Sequence, residues 1–229
     1  MDGWPYLVGL TSAAVVFVSA ALALAASGRV VAGAVCGIIG VAAAVPAALG
    51  SRYVVSGKLW HRDRLLDLVP WRGDEMVLDV GAGAGLLGIG AAKRVPHGRV
   101  HCLDLWVGKD LTGNGPERLR RNAALEGVAA RIEVVTGDAR ALGLPDASVD
   151  VVVSALCLHN IPDEAGRHAA TREIARVLRP GGHVAISDLA GTNELAAWLT
   201  SEGLTVVTHD KAPATFPPQR LLLARRALP

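Results

Sequence analysis

VLDVGAGAGLLGIG, residues Val77 to Gly90, runs from a short apolar stretch through an aspartate into glycines at alternate positions. A glycine-rich turn after a buried strand lets backbone come close to a ligand where a Cβ would clash, and it marks a nucleotide or nucleotide-like cofactor. Two turn patterns compete for this stretch. The dinucleotide fingerprint, GxGxxG/A, needs a small residue at its third fixed place so that the helix can pack on the strand. Counting from Gly81 and Gly83, that place holds Leu86. The pattern present is Asp79-Val-Gly81-Ala82-Gly83-Ala-Gly85, an acidic residue followed by GxGxG.

Outward from the turn, apolar runs alternate with amphipathic ones, the signature of a parallel sheet covered on both faces. Strands are expected at about 76–80, 99–104, 131–136, 149–154, 182–188, 204–209 and 219–225, and helices at about 85–94, 115–126, 163–178 and 192–202. Gly88 and Gly90 inside the first of these helices weaken it by roughly 1 kcal/mol each, and close packing of helix on sheet is the reading that accounts for them. Seven strands and four helices leave no room for a separate substrate domain.

Several motifs recur in order along this frame. Val100-His-Cys-Leu-Asp104 places a carboxylate at a strand end, where it can accept hydrogen bonds from a ribose diol. Thr136-Gly-Asp138-Ala139 follows the third strand, Ser148 to Ser154 forms the fourth, and Val177-Leu-Arg-Pro-Gly-Gly182 precedes the fifth. Over about residues 71–226 the sequence resembles the class I S-adenosylmethionine-dependent methyltransferases, in the small-molecule branch that includes quinone-biosynthesis enzymes. The resemblance implies a Rossmann-like seven-stranded α/β sheet with helices on both faces and S-adenosylmethionine as cofactor. The implied cofactor residues are Asp79, Gly81, Ala82, Gly83, Gly85, Asp104, Leu105, Asp138, Ala139 and Ser154. Asp79 is expected to orient the cofactor's ammonium group or only to stabilise the turn, and Asp138 to meet the adenine amino group.

The acceptor is expected beyond the carboxyl ends of the strands, as in other open α/β sheets. Ser154-Ala-Leu-Cys-Leu-His159-Asn160 lacks the Asn/Asp-Pro-Pro-Tyr of members that methylate amides and base amines, which argues against DNA or a protein glutamine as substrate. His159 is the candidate base or substrate-orienting group. Cys157 reads as core. Trp106, Asp110, Asn114 and Asn160 are the substrate-side candidates. The polar, glycine-rich stretch 106–117, with Lys109 and Asp110, departs from the commoner family pattern, and Asn114 serves either the site or as a cap on the next helix. Arg118, Arg120 and Arg121 on that helix read as a solvated face.

The first fifty residues are of another kind. About residues 6–26 and 30–50 are two uncharged apolar runs, each near the ~20 residues needed to cross a bilayer, joined by Ser27-Gly28-Arg29. We read residues 1–50 as a transmembrane helical hairpin, 51–71 as a basic juxtamembrane helix with Leu59, Leu65, Leu66 and Leu68 on one face, and 72–229 as the methyltransferase domain. A secretory signal peptide fits badly, for want of a basic n-region and because there are two spans. Arg52, Lys58, Arg62 and Arg64 follow the second span, against a lone Arg29 in the loop. The positive-inside rule then puts both termini and the catalytic domain in the cytoplasm, at the inner membrane, with Trp4, Tyr6, Tyr53 and Trp60 at the interface. Gly33 and Gly37 form a GxxxG spacing, which serves close helix packing and admits homo-oligomers through the hairpin.

Composition narrows the field further. A net charge of +2 with dispersed basic residues gives no footprint for nucleic acid. Cys36, Cys102 and Cys157 sit in apolar runs without ligand spacing, and there is no CxxC or HExxH, so no metal site is expected. The expected partners are therefore the lipid bilayer and a small acceptor. Two rivals stand beside the leading reading: a thiol or metalloid methyltransferase in detoxification, and a non-catalytic membrane scaffold that binds the cofactor.

Overall fold

The computed structural model describes residues 4–108, 111–212 and 215–228; Lys109 and Asp110 lie outside the described residues. The chain divides into two compact units. One holds the hairpin through Lys58 together with residues 215–217, and the other begins at Leu59.

In the first unit, α1 (Trp4–Ala26) and α2 (Val30–Arg52) are joined by the turn at Ser27 to Arg29, with Gly28 at φ +78°. Gly33, Gly40, Ala47 and Gly50 form the buried stripe of α2. A Cβ on Gly33 would lie 3.0 Å from the Ala21 carbonyl oxygen, and one on Gly40 would lie 2.8 Å from Val18 Cγ2. At Gly37 the nearest atom would be 3.8 Å away. The close approach of the backbones is thus made by Gly33 and Gly40, and this stripe is used within the hairpin. A Cβ on Gly50 would meet Leu7, and the Phe216 ring is beside it.

The helical state does not end near Gly50, as the sequence suggested. It runs unbroken from Val30 to Leu66, through a π-helical turn at Tyr53–Gly57 and into α3 (Lys58–Leu66). No proline interrupts this stretch after Pro46, so nothing enforces a stop. The buried face of α3 is His61, Leu65 and Leu66, whereas Leu59 is exposed.

The second unit is a seven-stranded sheet in the order β3-β2-β1-β4-β5-β7-β6. The strands are β1 (Met76–Val80), β2 (Arg99–Asp104), β3 (Ile132–Thr136), β4 (Val149–Ala155), β5 (Leu178–Asp188), β6 (Leu204–Ala212) and β7 (Gln219–Arg226). β1 to β5 pair in parallel, and β7 is antiparallel to both β5 and β6. All seven fall where the apolar runs predict them. β5 begins earlier, because Leu178 pairs with Val149 and Arg179-Pro-Gly-Gly182 then makes an excursion before His183 pairs with Val151.

Side-chain alternation sorts the core into two layers. Val77, Cys102, Val151, Val153, Ala185, Leu221 and Leu223 pack with Leu65 and Leu66 of α3, Leu87 and Ala91 of α4 (Leu86–Arg94) and Leu119 of α5 (Pro116–Leu125). Leu78, Val80, Val152, Val184, Ile186 and Leu222 pack with Ile174 of α6 (Glu164–Val177) and with Leu195 and Leu199 of α7 (Thr192–Ser201). Gly88 does meet the sheet: a Cβ there would lie 2.3 Å from Cys102 Sγ. Gly90 meets α3 instead, with Leu66 Cδ1 and Arg62 Cδ each 2.7 Å from its would-be Cβ. The strand order reverses between β1 and β4, and a ligand crevice is expected outside their carboxyl ends.

Candidate active site

The turn after β1 is held open by its neighbours. Gly81, Gly83 and Gly85 have φ of +76°, +52° and +92°, a region that side chains with a Cβ avoid. The amides of Gly81 and Ala82 both donate to the Leu103 carbonyl, at 2.8 and 3.1 Å. A Cβ on Gly81 would lie 2.2 Å from Cys157 Sγ, so the turn and the segment after β4 touch through a glycine.

Asp104, at the end of β2, is the hub of the cofactor side. Its Oδ2 accepts from Gly83 N–H at 2.8 Å, and its Oδ1 accepts from Trp106 N–H at 2.6 Å and from Asn114 Nδ2 at 3.3 Å. Asn114 is therefore not the cap of α5, whose N-cap is Gly115 with no side-chain bond. It supports Asp104, and its own Oδ1 is buried without a hydrogen-bond partner. An orphaned acceptor beside a carboxylate with a lone pair to spare fits a vicinal diol, which brings two O–H donors. Trp106 stands at φ +58°, its indole N–H on Thr136 Oγ1 at 2.8 Å, and Leu105 is exposed.

Three cofactor candidates are placed less openly than their sequence positions suggest. Asp79 is buried under α4, with Oδ2 accepting from Gly88 N–H at 2.7 Å, which ties α4 to the end of β1. Ser154 is buried and its hydroxyl donates to the Val80 carbonyl at 2.8 Å, which commits it to tying β4 to β1. Asp138 is gripped by Arg140, whose Nη2 is 2.6 Å from its Oδ2; that guanidinium holds the carboxyl below its ordinary range. Ala139 is buried beside it.

Burial pushes the Asp79 carboxyl up to about 7, against the opposing Gly88 N–H, and the charge of Asp104 raises it further. The folded state thus keeps a proton that the unfolded chain gives up near pH 4, and the stability this represents is lost as pH rises through about 7. His61 acts in the opposite sense. Burial lowers it to about 4, so its contribution is present above about 6.5 and is lost as pH falls through 4. Because the two offset each other, Asp79→Asn is expected to gain stability relative to the parent between pH 5 and pH 8, by about 1.4 kcal/mol for each pH unit of that interval that Asp79 spends protonated. Denaturant midpoints at the two pH values measure it, and parallel curves would contradict the assignment.

On the acceptor side, β4 ends at Ala155 and the chain turns through Leu156 at φ +53°, a strained conformation for leucine that a bond from its amide to the Ser187 carbonyl holds at 2.9 Å. A 3₁₀ turn, Leu158–Asn160, follows. His159 Nδ1 sits 2.5 Å from Asp188 Oδ1, and His159 N–H donates to Asp188 Oδ2 at 3.2 Å. A carboxylate this close to Nδ1 favours the tautomer with the proton there, which would leave Nε2 as an acceptor. Both ring nitrogens are buried without a hydrogen-bond partner, Nδ1 facing Asp188 at ion-pair distance. Asn160 turns its side-chain amide back to the Leu156 carbonyl at 3.4 Å. Asp188 was not singled out from the sequence, although it ends a strand just as Asp104 does. Burial raises the Cys157 thiol to about 12, helped by Asp104, Asp188 and Asp79, and the side chain packs partly buried against the core.

Comparison with known proteins agrees with this geometry. The family described as "Methyltransferase domain" matches residues 77–182, from the glycine turn to Gly182. An uncharacterised methyltransferase of Mycobacterium bovis is 30% identical over 171 residues, covering 71% of this chain and 79% of its own. A ubiquinone/menaquinone biosynthesis C-methyltransferase of Dinoroseobacter shibae is 32% identical over 136 residues, covering 58% of this chain and 49% of its own. An arsenite methyltransferase of Halobacterium salinarum is 40% identical over 119 residues, covering 52% of this chain and 28% of its own. The chain spans less than half the length of the first curated relatives it matches. A solved S-adenosylmethionine-dependent methyltransferase from Aquifex aeolicus shares the fold, with a TM-score of 0.60 at 20% identity over 78% of this chain and 97% of that one. With the β3-β2-β1-β4-β5-β7-β6 sheet, the glycine turn and these relatives in agreement, the chain belongs to the S-adenosylmethionine-dependent methyltransferases.

Proposed function

We propose that the chain is a membrane-anchored methyltransferase that moves the methyl group of S-adenosylmethionine to a small apolar or amphiphilic acceptor at the cytoplasmic surface of the inner membrane. The observation that carries the membrane half of this reading is the bareness of the hairpin. Only 11% and 22% of its two most apolar stretches are buried within the chain, and Leu22, Val31 and Ile38 are 68%, 80% and 70% exposed. At roughly 25 cal/mol per Å² of apolar surface, that exposure is costly in water and favourable in lipid. Arg52 and Lys58 at the end of the second run support a cytoplasmic placement of the domain. Since the Gly33 and Gly40 stripe is already filled by α1, association between copies would have to use another face.

The cofactor supplies a methyl group already activated on a sulfonium. What remains for the protein is alignment, which can contribute about 7–11 kcal/mol, and removal of a proton where the acceptor carries one. Gly81 to Gly85 and Asp104 hold the donor side. His159 Nε2, with Nδ1 anchored on Asp188, takes the proton of an oxygen or nitrogen acceptor.

The arsenite methyltransferase relative favours a second reading, a thiol or metalloid acceptor. Burial pushes the thiols of Cys102 and Cys157 up, which disfavours a metalloid ligated by these two cysteines and leaves a thiol acceptor, which brings its own thiolate, untouched. The membrane reading is tested by the chain lacking residues 1–50. Transfer to acceptors extracted from the membrane and presented in vesicles is expected to fall at least about ten-fold, a change of about 1.4 kcal/mol, with cofactor affinity kept. Equal transfer by both chains would overturn it.

A further inference from the structure

Arg220, the second residue of β7, lies beside the acceptor site and makes no ion pair among the described residues. Its register partners are Asp188 at the end of β5 and Lys211 near the end of β6. Partners across an antiparallel pair project to the same face with Cα atoms about 5 Å apart, so Arg220 shares the face of the carboxylate that holds His159. His209, two residues before Lys211, is on that face too, and its Nε2 is 3.1 Å from Thr192 Oγ1 at the start of α7. Burial holds His209 below its ordinary basicity. The charge of Arg220 adds to this, and Asp210 opposes it, which places the guanidinium within electrostatic reach of the ring.

The half-buried arginines elsewhere in the domain are met by the chain: Arg118, Arg131, Arg167 and Arg226 donate to backbone carbonyls, Arg64 lies over the Trp60 ring, and others make ion pairs. Arg62 pairs with Asp63, Arg94 with Asp67, and Arg176 with Glu173 and Asp146. Arg220 makes no ion pair among the described residues, and its Nε is buried without a hydrogen-bond partner. Asp188 makes no bond to it: its Oδ1 accepts from Leu189 N–H at 2.8 Å and faces His159 Nδ1, and its Oδ2 accepts from His159 N–H. Asp210 alternates to the other face of β6. Solvent can satisfy exposed N–H groups but not a buried one, and an unmet buried donor next to a candidate base calls for an acceptor from outside the chain. A guanidinium matches planar or tetrahedral oxyanions with paired N–H donors.

We propose that Arg220, with Lys211 and the Thr192 hydroxyl beside it, binds an oxyanion carried by the methyl acceptor, making that acceptor an anionic amphiphile. This rests on the membrane-methyltransferase reading and names its substrate class. The full chain is placed in nanodiscs of neutral phosphatidylcholine with S-adenosylhomocysteine bound, and calorimetry compares decyl phosphate, decanol and inorganic phosphate. Decyl phosphate is expected to bind at least ten-fold more tightly than decanol. Arg220→Gln is expected to erase that difference and Arg220→Lys to keep part of it, both leaving cofactor affinity unchanged. Equal affinities for decyl phosphate and decanol, or equal decyl phosphate binding by parent and Arg220→Gln, would overturn the subsite. Inorganic phosphate binding as tightly as decyl phosphate would overturn its assignment to an amphiphile. No methyl group moves in this experiment, so failure of the transferase reading would appear separately, as absence of methylated product.

Discussion

Asp104→Ala is expected to weaken S-adenosylmethionine binding by about 10–10³-fold, the largest effect on cofactor binding of any single substitution in the chain. A hydrogen bond from a ribose diol to the one lone-pair site this carboxylate has left, at roughly 1.5–3 kcal/mol for a bond to a charged group, and a second to Asn114 Oδ1, at roughly 0.5–1.5 kcal/mol, account for about 2–4.5 kcal/mol, and each 1.4 kcal/mol is about a factor of ten. The loss spreads beyond the diol. Gly83 N–H and Trp106 N–H, which Asp104 now accepts, would lose their partner, and Trp106 would lose what holds it at φ +58°. Asp104→Asn keeps an oxygen for one of these amides and is expected to lose less. Calorimetric titration of the two variants measures both. Unchanged affinity in Asp104→Ala would refute the ribose assignment.

The second large effect is on turnover and not on binding. His159→Gln is expected to lower methyl transfer by about 10²–10⁴-fold, the usual contribution of a positioned base, with cofactor affinity intact because His159 lies on the Asp188 side of the site and not on the glycine turn. Asp188→Asn is expected to lower transfer as well, since an amide leaves the imidazole free to adopt the tautomer that places its proton on Nε2. A His159→Gln chain that transfers at the parental rate would mean that the acceptor arrives already nucleophilic, and the base role would fall.

The sheet was legible in the sequence because its signals are local. Asp79 to Gly85 forms a turn that only glycine accommodates, and period-two apolar runs bounded by Pro96, Gly127 and Pro145 delimit strands whatever the chain does elsewhere. The positions of Asp104 and Asp138 were legible for the same reason: they end their strands or follow them closely. What stayed hidden depends on which distant elements meet. Asp188 gains its meaning only from His159, which precedes it by a strand and a helix. Arg220 gains its meaning from an antiparallel register with β5 that no spacing rule gives. Asn114 has the composition of a cap but is placed to bond Asp104, and a polar residue near a helix start supports both outcomes equally. His61 was passed over because a histidine on an apolar helical face is not counted in a leucine pattern. Burial and the Ser187 hydroxyl, 2.7 Å from its Nε2, put it there.

The central claim is that this domain methylates a membrane-borne acceptor, and transfer of tritium from methyl-labelled S-adenosylmethionine tests it most directly. Membranes containing the full chain are incubated with the labelled cofactor and extracted into organic solvent. Label is expected in the lipid extract with the parent chain and is expected to be lost with Asp104→Ala. Label confined to the water-soluble fraction, or no transfer from a chain that binds the cofactor, would contradict the account.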